Sequence, residues 1–488
     1  MTTLRDGRRG KVTTSPDIAA HLPLERGTGV PLHQQLYDGV RRAILSGSLR
    51  AGQRLPSTRA LAVELGVSRL PVLSAYDQLL HEGYLEGRAG SGTFVSAALP
   101  DEFGQSTAPV PRPRRARLRT RDEGGLRPFR MSLPALDAFP RTTWARLVAR
   151  HAHAMKPAHM AYGDPAGVGA LRTAIAEHLR TARAVRCEAE QVIIVSGSQA
   201  ALRICASVLL MRGDVVAIEE PGYPGARVAL GTSGARLSPV VGDHEGISVD
   251  ALSALGARVR AAYVTPSHQY PLGASMSAAR RMALLDWADR RTAWIIEDDY
   301  DSEYRYVSRP LGALQGMDTK DRVVYVGTFS KVLFPALRVG YIVVPPALIP
   351  QFVEAREAFD LFSPTLYQLA LADFLREGHF ARHLRRMRVL YLGRRNALLA
   401  GLDRHCPGVL TVHNADAGLH VATFLTRGVD DVAVVRRMAE CGLTATALST
   451  CYAGRKARSG LLLGFGGWSE RRMVEATRTL GAILREFA

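Results

Sequence analysis

Cysteine is scarce in this chain: Cys187, Cys205, Cys406, Cys441 and Cys451 are scattered through 488 residues. Their number is odd and no spacing suits a metal-ligand pair. Neither a disulfide framework nor a thiolate metal centre is expected, and a reducing cytoplasm suits the chain. Long apolar runs are also missing. Nothing approaches the roughly 18–20 consecutive apolar residues that a membrane helix needs. The opening stretch MTTLRDGRRGKVTTSPDIAA lacks the apolar core of a secretion signal. Acidic residues are in deficit: 45 Asp and Glu face 63 Lys and Arg, a formal net charge of +18. A positive field of that size favours polyanions such as nucleic acid. An arginine-rich coding bias would give the same total, so the motifs have to decide.

Hydrophobic residues make up 47% of the chain, enough for a large core, and the length suggests two to four domains at about 100–200 residues each. Four stretches separate by pattern. Residues 1–29 are polar and basic and read as a flexible arm. Residues 30–96 read as a small helical domain ending in a hairpin. Residues 97–128 contain TAPVPRPRRARLRTRDEGG, a linker whose prolines and like charges oppose packing and favour an extended chain. From 129 to 488, short apolar runs alternate with longer helical stretches, which predicts an α/β domain with a mostly parallel sheet.

In the first domain, Leu36, Val40 and Ile44 recur at a four-residue step and mark one buried helical stripe. Ser57 is placed to cap a second helix that ends at Gly66, and Ser68 to cap a third that runs to about His81. Gly66-Val67 between them is the tight turn of a helix-turn-helix. Tyr84-Leu85-Glu86 and Gly92-Thr93-Phe94-Val95 then flank a glycine-rich tip, giving a wing. A recognition helix enters the major groove by its N-terminal end, where Ser68 and Arg69 stand. Arg59 is set to reach a phosphate or a base edge, and Gly90 lets the wing backbone approach the duplex. Periodicity alone equally allows a three-helix packing module with solvated arginines. The landmarks Leu55-Pro56-Ser57, Arg59, Leu65-Gly66-Val67-Ser68-Arg69, Glu82-Gly83 and Gly90-Ser91-Gly92-Thr93 resemble a GntR-type winged helix, which implies binding to double-stranded operator DNA. Leu70-Pro71 departs from that family's small polar residues.

Five apolar runs in the second domain each lead straight into a chemically equipped loop. They are Val192–Val195 before Ser196-Gly197-Ser198-Gln199, Val215–Ile218 before Glu220-Pro221-Gly222-Tyr223, and Ala261–Val264 before Pro266-Ser267-His268-Gln269-Tyr270-Pro271. Trp294–Ile296 precedes Glu297-Asp298-Asp299-Tyr300, and Val323–Val326 precedes Gly327-Thr328-Phe329-Ser330-Lys331. Open α/β sheets bind ligands outside the carboxyl ends of their strands, so five such loops predict one converged site. Its chemistry fits pyridoxal 5'-phosphate. The cofactor's aldehyde needs a lysine for a Schiff base, and Lys331 is the candidate. The pyridine nitrogen needs an anion, and Asp298 suits it. Tyr300 can donate to the ring's phenolic oxygen, and Tyr223 can lie under its face. Gly197, Ser198 and Gln199 open a helix toward the phosphate, with Thr328, Ser330 and Arg338 adding hydroxyls and a guanidinium. Asp299, Asp301 and Glu303 read as solvated or structural, and no metal is expected.

The stretches YGDPAGVGALRTAIAEHLR, TPSHQYPLG, IIEDDYDSEYRY and GTFSKVLFPALRVGY resemble the fold-type-I, class I aminotransferase domain of MocR/GabR-type regulators. The resemblance assigns Lys331 to the Schiff base, Asp298 to the ring nitrogen, Tyr300 to the phenolic oxygen and Arg338 to the phosphate. It matches Tyr162 to a tyrosine that reaches the neighbouring subunit's phosphate, which implies a homodimer. Two features depart from working aminotransferases. Tyr270 stands in the slot of a ring-contacting asparagine. The late strand Gly460–Phe465 has no arginine for a substrate carboxylate; Arg455 and Arg458 just before it either substitute or are solvated. The expected function is transcription regulation controlled by pyridoxal phosphate, by an amine or amino acid, or by both. The rivals are an active aminotransferase with an accessory DNA-binding domain, and a dimer whose helical domain only mediates protein contacts.

Overall fold

The computed structural model describes residues 18, 22–25, 29–99, 126–307, 312–426, 428–454 and 457–487. Most of the expected arm, residues 100–125 of the expected linker, and Arg455 lie outside the described residues. The chain divides into two units, Met1–Arg119 and Thr120–Ala488.

The first unit is built from α1 (Leu32–Leu45), α2 (Thr58–Glu64), α3 (Arg69–His81), β1 (Leu85–Arg88) and β2 (Gly92–Val95). Leu36, Val40 and Ile44 of α1 are buried, and they close one core with Leu61, Val72, Tyr76, Leu79, Tyr84 and Val95. Each such side chain contributes about 1.5–3 kcal/mol of burial before entropy is charged against it. Ser57 caps α2 as expected, accepting from the Ala60 N–H at 3.2 Å. Ser68 differs from expectation. It stands at the N-cap of α3, but its side chain makes no cap hydrogen bond. Pro71 is the third helical residue and has no N–H, so the donor that a serine cap commonly takes is missing. Gly66 turns the chain at φ +62°. The strands pair antiparallel from Leu85 opposite Val95 to Arg88 opposite Gly92, with Gly90 at φ +72° in the tip.

In the second unit, α4 (Arg141–His153) and α5 (Pro157–Met160) pack on the helix Thr365–Arg376, while α6 (Gly169–Arg183) and α7 (Ser198–Leu209) pack on an eight-stranded sheet. Its strands are β3 (Val192–Val195), β4 (Val215–Glu220), β5 (Arg236–Asp243), β6 (Gly246–Ile247), β7 (Val259–Val264), β8 (Trp294–Asp299), β9 (Val323–Thr328) and β10 (Gly340–Val343). The spatial order is β3-β10-β9-β8-β7-β4-β5-β6. Strands β5, β4, β7, β8 and β9 are mutually parallel. Because β10 is antiparallel to both β9 and β3, β3 points the same way as β9. The five runs singled out in the sequence thus all end on one edge. Helix α7 packs Ala201, Ile204 and Cys205 on one face of the sheet, and Leu284, Trp287 and Ala288 cover the other. Strands buried on both faces need near-continuous apolar sequence, which these runs have. A smaller antiparallel sheet of β11 (Leu410–His413), β12 (His420–Leu425), β13 (Thr446–Ala447) and β14 (Gly460–Gly464) has the order β11-β12-β14-β13.

Candidate cofactor site and nucleic-acid interface

At the carboxyl edge of the large sheet, a cavity of about 230 Å³ is lined by Ser198, Gln199, Tyr223, Asp298, Tyr300, Thr328, Ser330, Lys331 and Arg338, together with Ser132, Tyr263, Tyr270 and Pro335. One end is an anion cradle. Gly197 precedes α7 at φ +108°, and a Cβ there would come within 3.3 Å of the Arg338 guanidinium. Glycine therefore lets the guanidinium lie across the first turn, where unpaired N–H groups and the helix dipole favour negative charge. Arg338 is itself left-handed, at φ +54°. The Thr328 hydroxyl accepts from the Ser330 N–H at 3.2 Å.

The opposite wall carries Asp298 at the end of β8. Its Oδ2 accepts from the Tyr263 hydroxyl at 2.8 Å, while Oδ1 is buried with no partner. Burial pushes the carboxyl up to about 6, against the Tyr263 hydrogen bond. Lys331 is pushed down to about 8 by burial, against the pull of Asp301 and Asp298. Its Nζ donates to the Ser132 carbonyl at 3.3 Å.

The Tyr300 hydroxyl lies 3.1 Å from His268 Nδ1, which lies 2.8 Å from Asp301 Oδ1. A proton on Nδ1, favoured by the carboxylate, makes both oxygens acceptors and leaves the Tyr300 O–H to donate into the cavity. Tyr223 and Tyr270 meet edge to face at 5.4 Å, and the Tyr223 hydroxyl accepts from Gln199 Nε2 at 3.3 Å. The sequence reading did not assign Ser132 or Tyr263. A tyrosine inside an apolar strand reads as core, and the only signal was its place three residues before an equipped loop.

Asp299 and Asp301 are buried, so the structural alternative applies to them rather than the solvated one. Asp299 Oδ2 accepts from Arg183 at 2.7 Å and from the Tyr325 hydroxyl at 2.7 Å. Tyr162 does not line this chain's cavity. It is 85% exposed, with its ring 6.2 Å from that of Phe362. Arg458 lies 3.4 Å over the Phe424 ring and is also absent from the cavity wall.

In the first unit, Arg59, Ser68, Arg69 and Gly90 are all exposed. Arg69 Nε donates to Thr58 Oγ1 at 3.2 Å, which ties the start of α3 to α2. Arg54, not singled out in the sequence, lies against the wing at Gly92, next to its tip.

Two family profiles match the chain: "Bacterial regulatory proteins, gntR family" over residues 32–95 and "Aminotransferase class I and II" over residues 135–460. A probable rhizopine catabolism regulatory protein, MocR, from Rhizobium meliloti is 42% identical over 469 residues, covering 94% of this chain and 95% of that protein. The pyridoxine biosynthesis transcriptional regulator PdxR of Corynebacterium glutamicum is 35% identical over 463 residues, covering 93% and 96%. Among solved structures, the α-aminoadipate aminotransferase LysN of Thermus thermophilus, complexed with N-(5'-phosphopyridoxyl)-L-leucine, is 30% identical. It has a TM-score of 0.68 and covers 74% of this chain and 92% of that one. The chain belongs to the MocR-type transcription regulators, in which a gntR-family winged helix is joined to an aminotransferase class I and II domain.

Proposed function

We propose that the second unit binds pyridoxal 5'-phosphate around Lys331, and that an amine or amino acid reaching it sets the affinity of the first unit for double-stranded operator DNA. The observation that carries this reading is Asp298 Oδ1, a buried acceptor without a partner in the same cavity as Lys331 and the anion cradle. Unpaired buried acceptors are costly, and a protonated ring nitrogen is the donor this one lacks. Bound there, the cofactor supplies an amine-reactive aldehyde. The chain's own groups divide the rest. Arg338 and the first turn of α7 hold the phosphate, Asp298 holds the ring-nitrogen proton, Tyr300 donates a hydrogen bond, and Tyr223 and Tyr270 shield the ring from water. Tyr270 in the asparagine slot, and the absence of arginine from β14, favour a sensor over a working transaminase.

Arg59→Ala and Arg69→Ala are each expected to weaken specific DNA binding. Loss of a base-reading arginine removes roughly 1–3 kcal/mol of discrimination, whereas loss of a phosphate contact lowers affinity for all sequences and flattens the salt dependence. Fluorescence anisotropy on the protein's own upstream DNA measures both effects. Undiminished affinity in both variants would remove the winged-helix reading.

We also place the protein in the cytoplasm as a homodimer. Among the described residues, no helix is long and apolar enough to cross a membrane. Met160, Tyr162, Leu361 and Tyr367 are all exposed around the α5 end of the second unit, and a partner subunit would cover them. Light scattering is expected to give twice the chain mass; a monomer at every concentration would contradict the dimer.

A further inference from the structure

Helix α3 buries Val72, Ala75, Tyr76 and Leu79 against the core of the first unit, which turns Arg69, Leu70, Leu73, Ser74 and Asp77 outward. Leu70 is 70% exposed and Leu73 37%. One exposed leucine is ordinary on a protein surface. Two at a three-residue step form a continuous apolar ridge, and this one begins at the second residue of the helix. That first turn is the part of a recognition helix that meets base edges. Pro71 follows at once. It fixes the backbone beside Leu70, and its missing N–H leaves the Ser68 hydroxyl without a cap bond. Ser68 and Arg69 therefore flank Leu70 with polar groups suited to phosphate, while Leu70 itself offers no hydrogen bond.

In the major groove, the apolar group that ordinary bases present is the C5-methyl of thymine. We propose that Leu70, backed by Leu73, packs on thymine methyl groups, so that part of the operator preference is read by apolar contact. This rests on the DNA-binding reading above. Removing one buried methyl is worth about a fourfold change in affinity. That change does not vary with salt, since no ion is released.

The test uses the full-length protein. A random duplex pool is selected for binding, and the recovered sequence is then made with each thymine replaced in turn by deoxyuridine. This removes the methyl and keeps every hydrogen-bonding group. At one or more positions the wild type should bind about fourfold more weakly, equally at low and high salt. Leu70→Ala, an exposed substitution, should bind the thymine and deoxyuridine duplexes alike. A wild type indifferent to every replacement, or a Leu70→Ala variant that keeps the penalty, overturns the proposal. A Leu70→Ala variant with altered solution mass and unchanged DNA binding overturns it in favour of a contact between copies. A pool with no preferred sequence overturns it by failing the DNA-binding reading itself.

Discussion

Lys331→Ala is expected to abolish all borohydride-fixable attachment of pyridoxal phosphate to the chain. The sequence holds five lysines, Lys11, Lys156, Lys320, Lys331 and Lys456, and among the described residues Lys331 is the one that lines the cavity. The cradle of Arg338 and α7 remains in the variant, so cofactor should still bind but leave on dialysis. Attachment needs the neutral amine. Because burial pushes Lys331 down to about 8, its rate in the wild type should rise with pH to about 8 and then level. An ordinary lysine would keep rising toward about 10.4. Mass spectrometry of the reduced protein and stopped-flow absorbance check the two halves. A fixed cofactor on the Lys331→Ala chain, or a rate still climbing at pH 10, would show that this lysine or its setting is wrong.

The second large effect lies behind the site. Arg183 on α6 and Asp299 on β8 form a buried ion pair at 2.7 Å. Burial pushes Asp299 up, but the charge of the Arg183 guanidinium and the hydrogen bonds donated by Arg183 and the Tyr325 hydroxyl outweigh it, and the carboxyl stays below its usual value. Arg183→Met strands that charge and should cost about 3–5 kcal/mol. Arg183→Met combined with Asp299→Asn removes the stranded charge while keeping a side-chain oxygen for the Tyr325 hydroxyl, and should recover much of the loss. Urea unfolding of the second unit compares them. A single variant that loses less than about 1 kcal/mol would mean the pair behaves like a surface bridge.

The candidate site was legible because its residues sit in loops directly after apolar strands, and parallel strands deliver such loops to one edge. Lys331, Asp298, Tyr300, Tyr223 and Arg338 accordingly line one cavity. What stayed hidden depends on three-dimensional neighbours. Strand β10, antiparallel within the sheet, has the same apolar signature as its parallel neighbours. The burial of Asp299 and Asp301 depends on Arg183 and His268 arriving from distant segments. Ser68 satisfied the capping pattern, yet a proline three residues on removed its donor.

In the proposed function, the site around Lys331 controls the DNA-binding unit. A ligand shifts a conformational equilibrium only through its differential affinity for the two states. The decisive measurement is operator affinity followed while cofactor, and then a panel of amines and amino acids, is titrated into wild type and Lys331→Ala. An amine is expected to change wild-type operator affinity beyond the effect of cofactor alone and to leave Lys331→Ala unmoved, with no keto acid accumulating at enzymatic rates of about 1–10³ per second. Identical responses in the two proteins, or keto acid produced at those rates, would contradict the proposed function.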